Sequence, residues 1–390
     1  MKTLAFILIA GTGIGGLFAQ TDSRTAEIAA QQQEKAARLS PVQQNRIERL
    51  LFEFREQGVV QRVLNGAAGF HPKFGGLAAE TGFGLGPEYR WAGRALTVPL
   101  TVRGSGVVST RGSRKFDFEL AAPKLGHSRY FAEIYAVHHN YPSLSDYGAG
   151  PDSEKADRTR FRFEDTAVDG RFGIRPFRNF SVGTSAGYVS NHVEPKQDFN
   201  FTRVGGFAQY DWRDNPGGPR RGGNYFTQFS DYRSFRRWDA EAQQFVSILN
   251  QRRVFAVRAK STMTFKDGAY GIPFYMQPRL GGAEDLRGYR PYRFRGDNLL
   301  VMNVEYRWEV FSGLDLALFV DAGKVYTHKS DFDMRHLESD AGFGFRFNAR
   351  NKTFLRLDAG FSHEGFQIWL KFNNIFQKGP IHTSSSMGDF

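Results

Sequence analysis

The sequence predicts an all-β fold, a 16-stranded antiparallel transmembrane β-barrel with a short N-terminal α-helical preface. Three observations predict it. Apolar and polar residues alternate with a period of two from about residue 76 to residue 376. Glycine and phenylalanine are abundant, at 43 and 38 of 390 residues, which is typical of a sheet with an aromatic exterior and closely approaching strands. The chain also begins with an export signal.

Composition narrows the class further. The mean hydropathy of -0.46 is too low for a bundle of membrane helices. Cysteine is absent, so disulfides cannot hold an exported fold together, whereas a closed, hydrogen-bonded barrel can. The net charge of +12 would usually suggest nucleic acid. In an exported chain it favours a charged lumen or contact with anionic lipid instead, and no nucleic acid partner is expected.

Residues 1–19 are expected to be a signal peptide. Lys2 precedes the apolar run Leu4–Ile9, and a glycine-rich stretch leads to Ala19, where cleavage is expected. The run is too short for a spanning helix.

Residues 20–58 are expected to form a periplasmic helical segment. Ser40 and Gln43 make a capping box around Pro41. The helix would carry an apolar face at i, i+3, i+4, i+7, namely Ile47, Leu50, Leu51 and Phe54. This face could pack against protein, lie on the membrane surface or plug a pore.

Alternation in single strands indicates one apolar and one polar face. In 314–323, Leu316, Leu318 and Val320 point one way and Asp315 and Asp321 the other. The same division occurs in 114–123, 341–348 and 354–361. A soluble sandwich also alternates, but aromatic residues at strand ends, long loops opposite short links, and the export signal favour a membrane barrel.

Fifteen strands can be resolved, and a barrel that starts and ends in the periplasm needs an even number. A sixteenth strand is therefore expected within 59–74, where Pro72 indicates a short edge strand at the seam. The other fifteen are 76–90, 95–109, 114–123, 128–140, 158–174, 178–190, 201–213, 222–232, 239–249, 252–265, 297–309, 313–323, 340–349, 352–362 and 365–376.

The longest loop, 266–296, is too long to be structureless in a compact domain unless it is functional. It contains Leu280-Gly281-Gly282-Ala283-Glu284-Asp285-Leu286-Arg287-Gly288-Tyr289. This segment resembles the Arg-Gly-aromatic tip of the inward-folded sixth loop in the outer-membrane protein assembly and two-partner secretion superfamily, to which the bacterial surface antigen domain belongs. Asn303–Arg307 and Phe319–Gly323 resemble the two strands that follow that loop in the superfamily.

Alternation places Glu305 and Asp321 on the lumen faces of adjacent strands. An inward loop could set the guanidinium of Arg287 between them, with Leu286 and Tyr289 beside it, and Gly288 would permit close backbone approach. The alternative is that each charged group is an ordinary solvated lumen residue.

The chain departs from the superfamily at its N-terminus, because residues 20–58 are too few for the periplasmic substrate-binding modules that the resemblance implies. The barrel is expected over 59–376 and a polar tail over 377–390. The strand that closes the seam is expected to carry Gly365, Phe366, Ile368, Leu370, Phe372 and Phe376.

No catalytic, cofactor or metal site is expected, and no enzyme. The adjacent His138 and His139 point to opposite faces of a strand and cannot share a metal. The expected location is the bacterial outer membrane, with its lipids, including lipopolysaccharide, as partners. The resemblance implies outer-membrane protein or lipid biogenesis, or translocation, through a loop-gated lumen or lateral seam, with client proteins or lipids. The alternatives are a passive anion-favouring pore and a helix-plugged structural barrel.

Overall fold

A computed structural model describes residues 67–95, 97–194, 199–249, 252–266, 271–349, 352–372 and 376. The signal peptide, the helical segment 20–58 with its Ile47, Leu50, Leu51 and Phe54 face, and the tail 377–390 lie outside the described residues.

The described chain is all-β, and the expected count of sixteen antiparallel strands is confirmed. Every barrel strand pairs with its neighbours in chain order, and two further short strands, β12 and β13, pair with each other inside the long loop. No helix in the described part of the chain is long and apolar enough to span a bilayer. In chain order the strands are β1 Phe70–Phe74, β2 Gly84–Ala95, β3 Val98–Ser109, β4 Arg114–Leu125, β5 Tyr130–Asp146, β6 Thr159–Ile174, β7 Phe180–Glu194, β8 Phe199–Asp211, β9 Gly222–Asp231, β10 Phe235–Ile248, β11 Arg253–Lys266, β12 Arg279–Leu280, β13 Phe294–Arg295, β14 Asn298–Phe311, β15 Leu314–Tyr326, β16 Glu338–Ala349, β17 Lys352–Ser362 and β18 Gly365–Lys371.

The faces of the strands are inverted relative to a soluble protein. On β15 the side chain of Val320 is 54% exposed, whereas Asp321 beside it is fully buried. The same contrast holds between Phe361 on the outside and Arg356 on the inside of β17. Because apolar side chains gain nothing by leaving a lipid environment, the outward face suits hydrocarbon and the charged groups collect inside.

The links between strands differ in length at the two ends of the sheet. One end carries the short links 96–97, 126–129, 175–179, 249–252, 312–313 and 350–351 and one longer link, 212–221. The other end carries the three longest loops, 147–158, 267–297 and 327–337, together with the shorter links 75–83, 110–113, 195–198, 232–234 and 363–364. Short turns mark the periplasmic end of an outer-membrane barrel and long loops the extracellular end. Strands β5, β7 and β15 extend several residues further toward the extracellular end than expected, so these loops start later.

The first and last strands lie at the two edges of the sheet, and no backbone pairing joins β1 to β18 within the described residues. They meet through side chains: the rings of Phe74 and Phe372 have centroids 5.3 Å apart, and those of Phe83 and Phe372 6.0 Å. We call this junction the seam. Five residues of the predicted first strand 59–74 form β1, and its residues 59–66 lie outside the described chain.

The end of the last strand differs from the expectation. β18 stops at Lys371, five residues before the predicted end, and Phe376 is fully buried instead of facing lipid. Its ring packs edge-on against Phe245 with centroids 5.3 Å apart, and Arg213 donates from Nη1 to its carbonyl oxygen at 3.0 Å. An apolar recess on the lumen wall, formed with Val254 and Ala256, buries the ring there.

Candidate functional site

The long loop folds into the lumen. β12 and β13 pair near its base, and Gly281 and Gly282 follow with φ of 110° and 104°, a conformation that glycine adopts without strain. Every residue from 282 to 289 and from 291 to 297 is buried. A loop on the outside of the barrel would be solvated, so this burial shows that the loop is part of the interior.

Arg287 at the loop tip binds two carboxylates of the barrel wall. Its Nε and Nη2 donate to the two carboxylate oxygens of Asp321 at 2.7 and 2.8 Å, and its Nη1 donates to Glu305 at 2.7 Å. All three side chains are fully buried. The guanidinium carbon also lies 3.4 Å from the ring centre of Phe319. This is the bidentate geometry that arginine forms and lysine cannot.

The surroundings keep Arg287 charged. Burial alone would lower the pKa of the guanidinium, but Asp321 and Glu305 outweigh it and hold the pKa well above its ordinary value. We call Arg287, Glu305 and Asp321 the loop anchor. The sequence placed these three residues together, and the structure brings them together.

The two carboxylates come from neighbouring strands, β14 and β15. Asn303 of β14 lies opposite Asp321 of β15, and its Nδ2 donates to Asp321 at 2.8 Å and to the carbonyl oxygen of Asp285 at 2.7 Å. Because alternate residues of a strand share a face, Glu305 projects beside Asn303. The strand register therefore fixes the spacing that the arginine spans.

Glu305 accepts from three arginines. Besides Arg287, Arg307 donates from Nε at 2.7 Å and Arg346 from Nη2 at 2.8 Å. Arg346 also pairs with Asp358 of β17. The alternation in the sequence put Arg346 on the inward face of its strand but gave it no role. The pairing of β14, β15 and β16 brings it to Glu305.

Close backbone packing holds the loop tip against β16, β17 and β18. A Cβ atom on Gly288 would lie 2.6 Å from Cβ of Asp340, and one on Gly360 would lie 2.5 Å from the carbonyl carbon of Arg287. Ser362 donates to the carbonyl oxygen of Gly288 at 2.9 Å. Trp369 of β18 donates from Nε1 to the carbonyl oxygen of Arg287 at 2.7 Å. The expected close approach at Gly288 is present, whereas the role of Trp369 was not anticipated.

The other two residues of the tip motif pack apart from the anchor. Leu286 is fully buried in an apolar cluster, and Tyr289 joins that cluster with its ring while its hydroxyl donates to Glu338 at 2.7 Å. The remaining members of the cluster are Leu280, Phe294, Leu299, Val301 and Val325. They come from the loop, β14 and β15.

Ion pairs join the extracellular loops over the barrel mouth. Arg293 of the long loop pairs with Glu364 at 2.7 Å, and Arg295 pairs with Asp146 at 2.7 Å. Glu80 of the first loop accepts from Arg158 at 3.1 Å. The extracellular end of the described barrel is therefore covered by its own loops.

The predicted seam strand carries its apolar residues on the lipid face. Phe366, Ile368 and Leu370 are 62%, 67% and 50% exposed. Gly365 is the first residue of β18, with φ of 123°, and Phe372 forms the seam contact with Phe74. Phe376 alone of the six expected residues lies inside the barrel.

The fold and the buried loop define the class of protein: a bacterial outer-membrane β-barrel with a loop folded into its lumen. Residues 198–358 match the model of the Omp85 superfamily domain. No curated protein matches the sequence.

Two solved structures share the fold at low sequence identity. BamA from Haemophilus ducreyi, in a form lacking POTRA domains 1–3, superimposes with a TM-score of 0.60 at 13% identity, over 77% of this chain and 69% of that one. CdiB from Escherichia coli superimposes with a TM-score of 0.53 at 15% identity, over 77% of this chain and 60% of that one. The expected resemblance, the 16-stranded antiparallel fold and the outer-membrane location are confirmed, and the expected helical preface lies outside the described residues.

Proposed function

We propose that this barrel acts in outer-membrane biogenesis or translocation, moving or inserting a client protein or lipid through a loop-gated lumen or through the seam between β1 and β18. The observation that carries the proposal is the loop anchor, in which a fully buried arginine ties the loop to the wall. The work is mechanical, a change in loop and strand positions, and involves no chemical step.

The occupied lumen argues against a passive pore. A pore needs a continuous water-filled path, but the loop tip is buried from residue 282 to residue 289 and ion pairs cover the extracellular mouth. At the periplasmic end, Phe376 fills a recess of the lumen wall. Conduction through this arrangement requires the loop to move, which is gating.

The seam is the weakest line in the wall. Each other junction in the described barrel has a ladder of backbone pairs, and the seam has contacts among Phe74, Phe83 and Phe372. Strand edges without a partner bind other strands readily. The hydrogen bond from Trp369 to the loop tip connects the loop directly to β18.

Photo-crosslinking in cells tests the proposal. A photoreactive residue at Phe372, on the seam, should capture newly made outer-membrane proteins or lipids. The matched control is Phe345, which is 39% exposed on β16, away from the seam. Capture at Phe345 equal to that at Phe372, or at neither, would contradict a seam function. Steady ion conductance from the wild-type barrel without capture would favour the passive pore.

The helical segment 20–58 remains a candidate plug. Bilayer recordings of barrels with and without these residues test it, because removing a plug raises conductance. Unchanged conductance would reject the plug and the helix-plugged structural barrel with it.

A further inference from the structure

The periplasmic end of the barrel carries an unbalanced group of cations between β2 and β7. Three consecutive periplasmic links are flanked by Arg94, by Lys124 and Arg129, and by Arg178, all exposed. The chain has no aspartate or glutamate in 89–103, 120–132 or 172–184, the segments that contain them. We call these four residues the cationic rim.

Two arginines in the other half of the same end are paired with carboxylates. Arg213 pairs with Asp211 at 2.6 Å, and Arg220 pairs with Asp315 at 3.0 Å. No side chain of the cationic rim makes an ion pair or hydrogen bond with another described residue. The four charges of the cationic rim are therefore not balanced by a carboxylate among the described residues.

Exposed aromatic residues lie among the cations. Trp91, Tyr130 and Phe177 are 40%, 43% and 61% exposed, and Phe177 stacks on Phe180 with ring centroids 4.8 Å apart. Aromatic rings of this kind mark the level of the lipid headgroups. The links are tight turns, with positive φ at His127, Ser128 and Asn179, so they hold the cations close to that level.

We propose that the cationic rim binds the phosphate headgroups of anionic phospholipids in the periplasmic leaflet. Long arginine and lysine side chains reach along an apolar surface to place their charges among headgroups. Each such cation near an anionic surface contributes about 1 kcal/mol, or roughly fivefold in binding. Lipopolysaccharide lies at the opposite end of the strands, and the interleaved aromatic residues favour lipid over an acidic protein.

Lipid retention by the whole purified protein tests the inference. Wild-type protein in nanodiscs of phosphatidylglycerol and phosphatidylcholine should retain phosphatidylglycerol preferentially after transfer to detergent, as measured by native mass spectrometry. The quadruple variant Arg94→Gln/Lys124→Gln/Arg129→Gln/Arg178→Gln should lose this preference by at least tenfold. The control Arg160→Gln/Arg233→Gln/Arg335→Gln/Lys329→Gln removes the same charge from exposed residues at the extracellular end and should retain it.

Several outcomes would overturn the inference. The first is that the wild type shows no preference for phosphatidylglycerol, and the second is that the quadruple variant keeps the full preference. The third is an equal loss of preference in the control variant, which would mean that net charge alone is responsible. Preference for polyglutamate without preference for phosphatidylglycerol would point to an acidic protein instead. If the quadruple variant does not fold, a salt titration of the wild type decides. Retention should fall between about 0.1 and 1 M salt, where the screening length shrinks from about 10 to 3 Å.

Discussion

The indole of Trp369 donates a hydrogen bond from Nε1 to the carbonyl oxygen of Arg287, at 2.7 Å. One residue is on the last barrel strand and the other on the tip of the loop inside the lumen. The side chain of the same Arg287 is held by Asp321 and Glu305 on β14 and β15. The loop tip therefore bridges the wall from β14 to the seam strand, and a force on either end reaches the other.

Loss of the anchor should free the loop. Arg287→Ala removes the cation that pairs with the buried Asp321 and one of the three arginines that pair with Glu305, at a cost of about 3–5 kcal/mol. We expect faster cleavage of the loop by an added protease and larger ion conductance. Arg160→Ala, an exposed arginine, is the control. Unchanged cleavage and conductance in Arg287→Ala would contradict an anchoring role.

The pH dependence of ion conductance should differ between the wild-type protein and the Arg287→Lys variant. The pKa of Arg287 is raised well above its ordinary value by Asp321 and Glu305, so its contribution is complete at neutral and mildly basic pH and is lost only in strong base. Wild-type conductance should then show no change from this group between pH 7 and 10. In Arg287→Lys the ordinary pKa is about 10.4, and the ammonium cannot make the bidentate contact that offsets burial for arginine, so the anchor should weaken as pH rises toward 10. Parallel pH profiles for the two proteins would argue against this.

Trp369→Phe should loosen the seam while keeping an aromatic ring. The lost hydrogen bond is worth about 1 kcal/mol, or roughly fivefold in an equilibrium. Because the chain has no cysteine, a Phe74→Cys/Phe372→Cys pair reports the seam without interference. Its disulfide should form more slowly when Trp369→Phe is added. Trp308→Phe, an exposed tryptophan on β14, is the control and should leave the rate unchanged.

Close packing at the loop tip should reject a single methyl group. In Gly360→Ala the new Cβ would lie 2.5 Å from the backbone of Arg287, so the loop must shift away from β17. We expect the protease sensitivity of Arg287→Ala to be reproduced with the anchor side chains intact. Gly104→Ala on β3, whose nearest neighbour would be 3.8 Å away, is the control. Equal sensitivity in both variants would show that the loop tolerates displacement at β17.

The strands and the inward position of the anchor carboxylates could be predicted from the sequence because both depend on the alternation of apolar and polar residues along a strand. Period-two alternation fixes which face of a strand is apolar, and it placed Glu305 and Asp321 correctly inside. The inward loop was expected from the resemblance of its tip to a known superfamily. The roles of Arg346 and Trp369 could not be predicted, because alternation gives a residue's face but not what lies across the lumen. The prediction that Phe376 ends the lipid-facing seam strand was wrong for a related reason. An aromatic side chain can pack against lipid or fill an interior recess, and alternation alone does not distinguish the two.

Because Phe376 lies inside the barrel, its replacement by alanine should destabilise the fold more than the same replacement at Phe372. Removing a buried phenylalanine ring costs about 3–5 kcal/mol, and Phe376 is fully buried against Phe245 with Arg307 over its ring at 4.9 Å. Phe376→Ala should therefore lower the temperature at which the folded barrel unfolds in detergent and should open the periplasmic end to a polar dye. Phe372→Ala, on the lipid side of the same chain end, removes an equal ring but should mainly affect the seam disulfide. Equal unfolding temperatures with equal dye entry in the two variants would mean that Phe376 does not hold the periplasmic end closed.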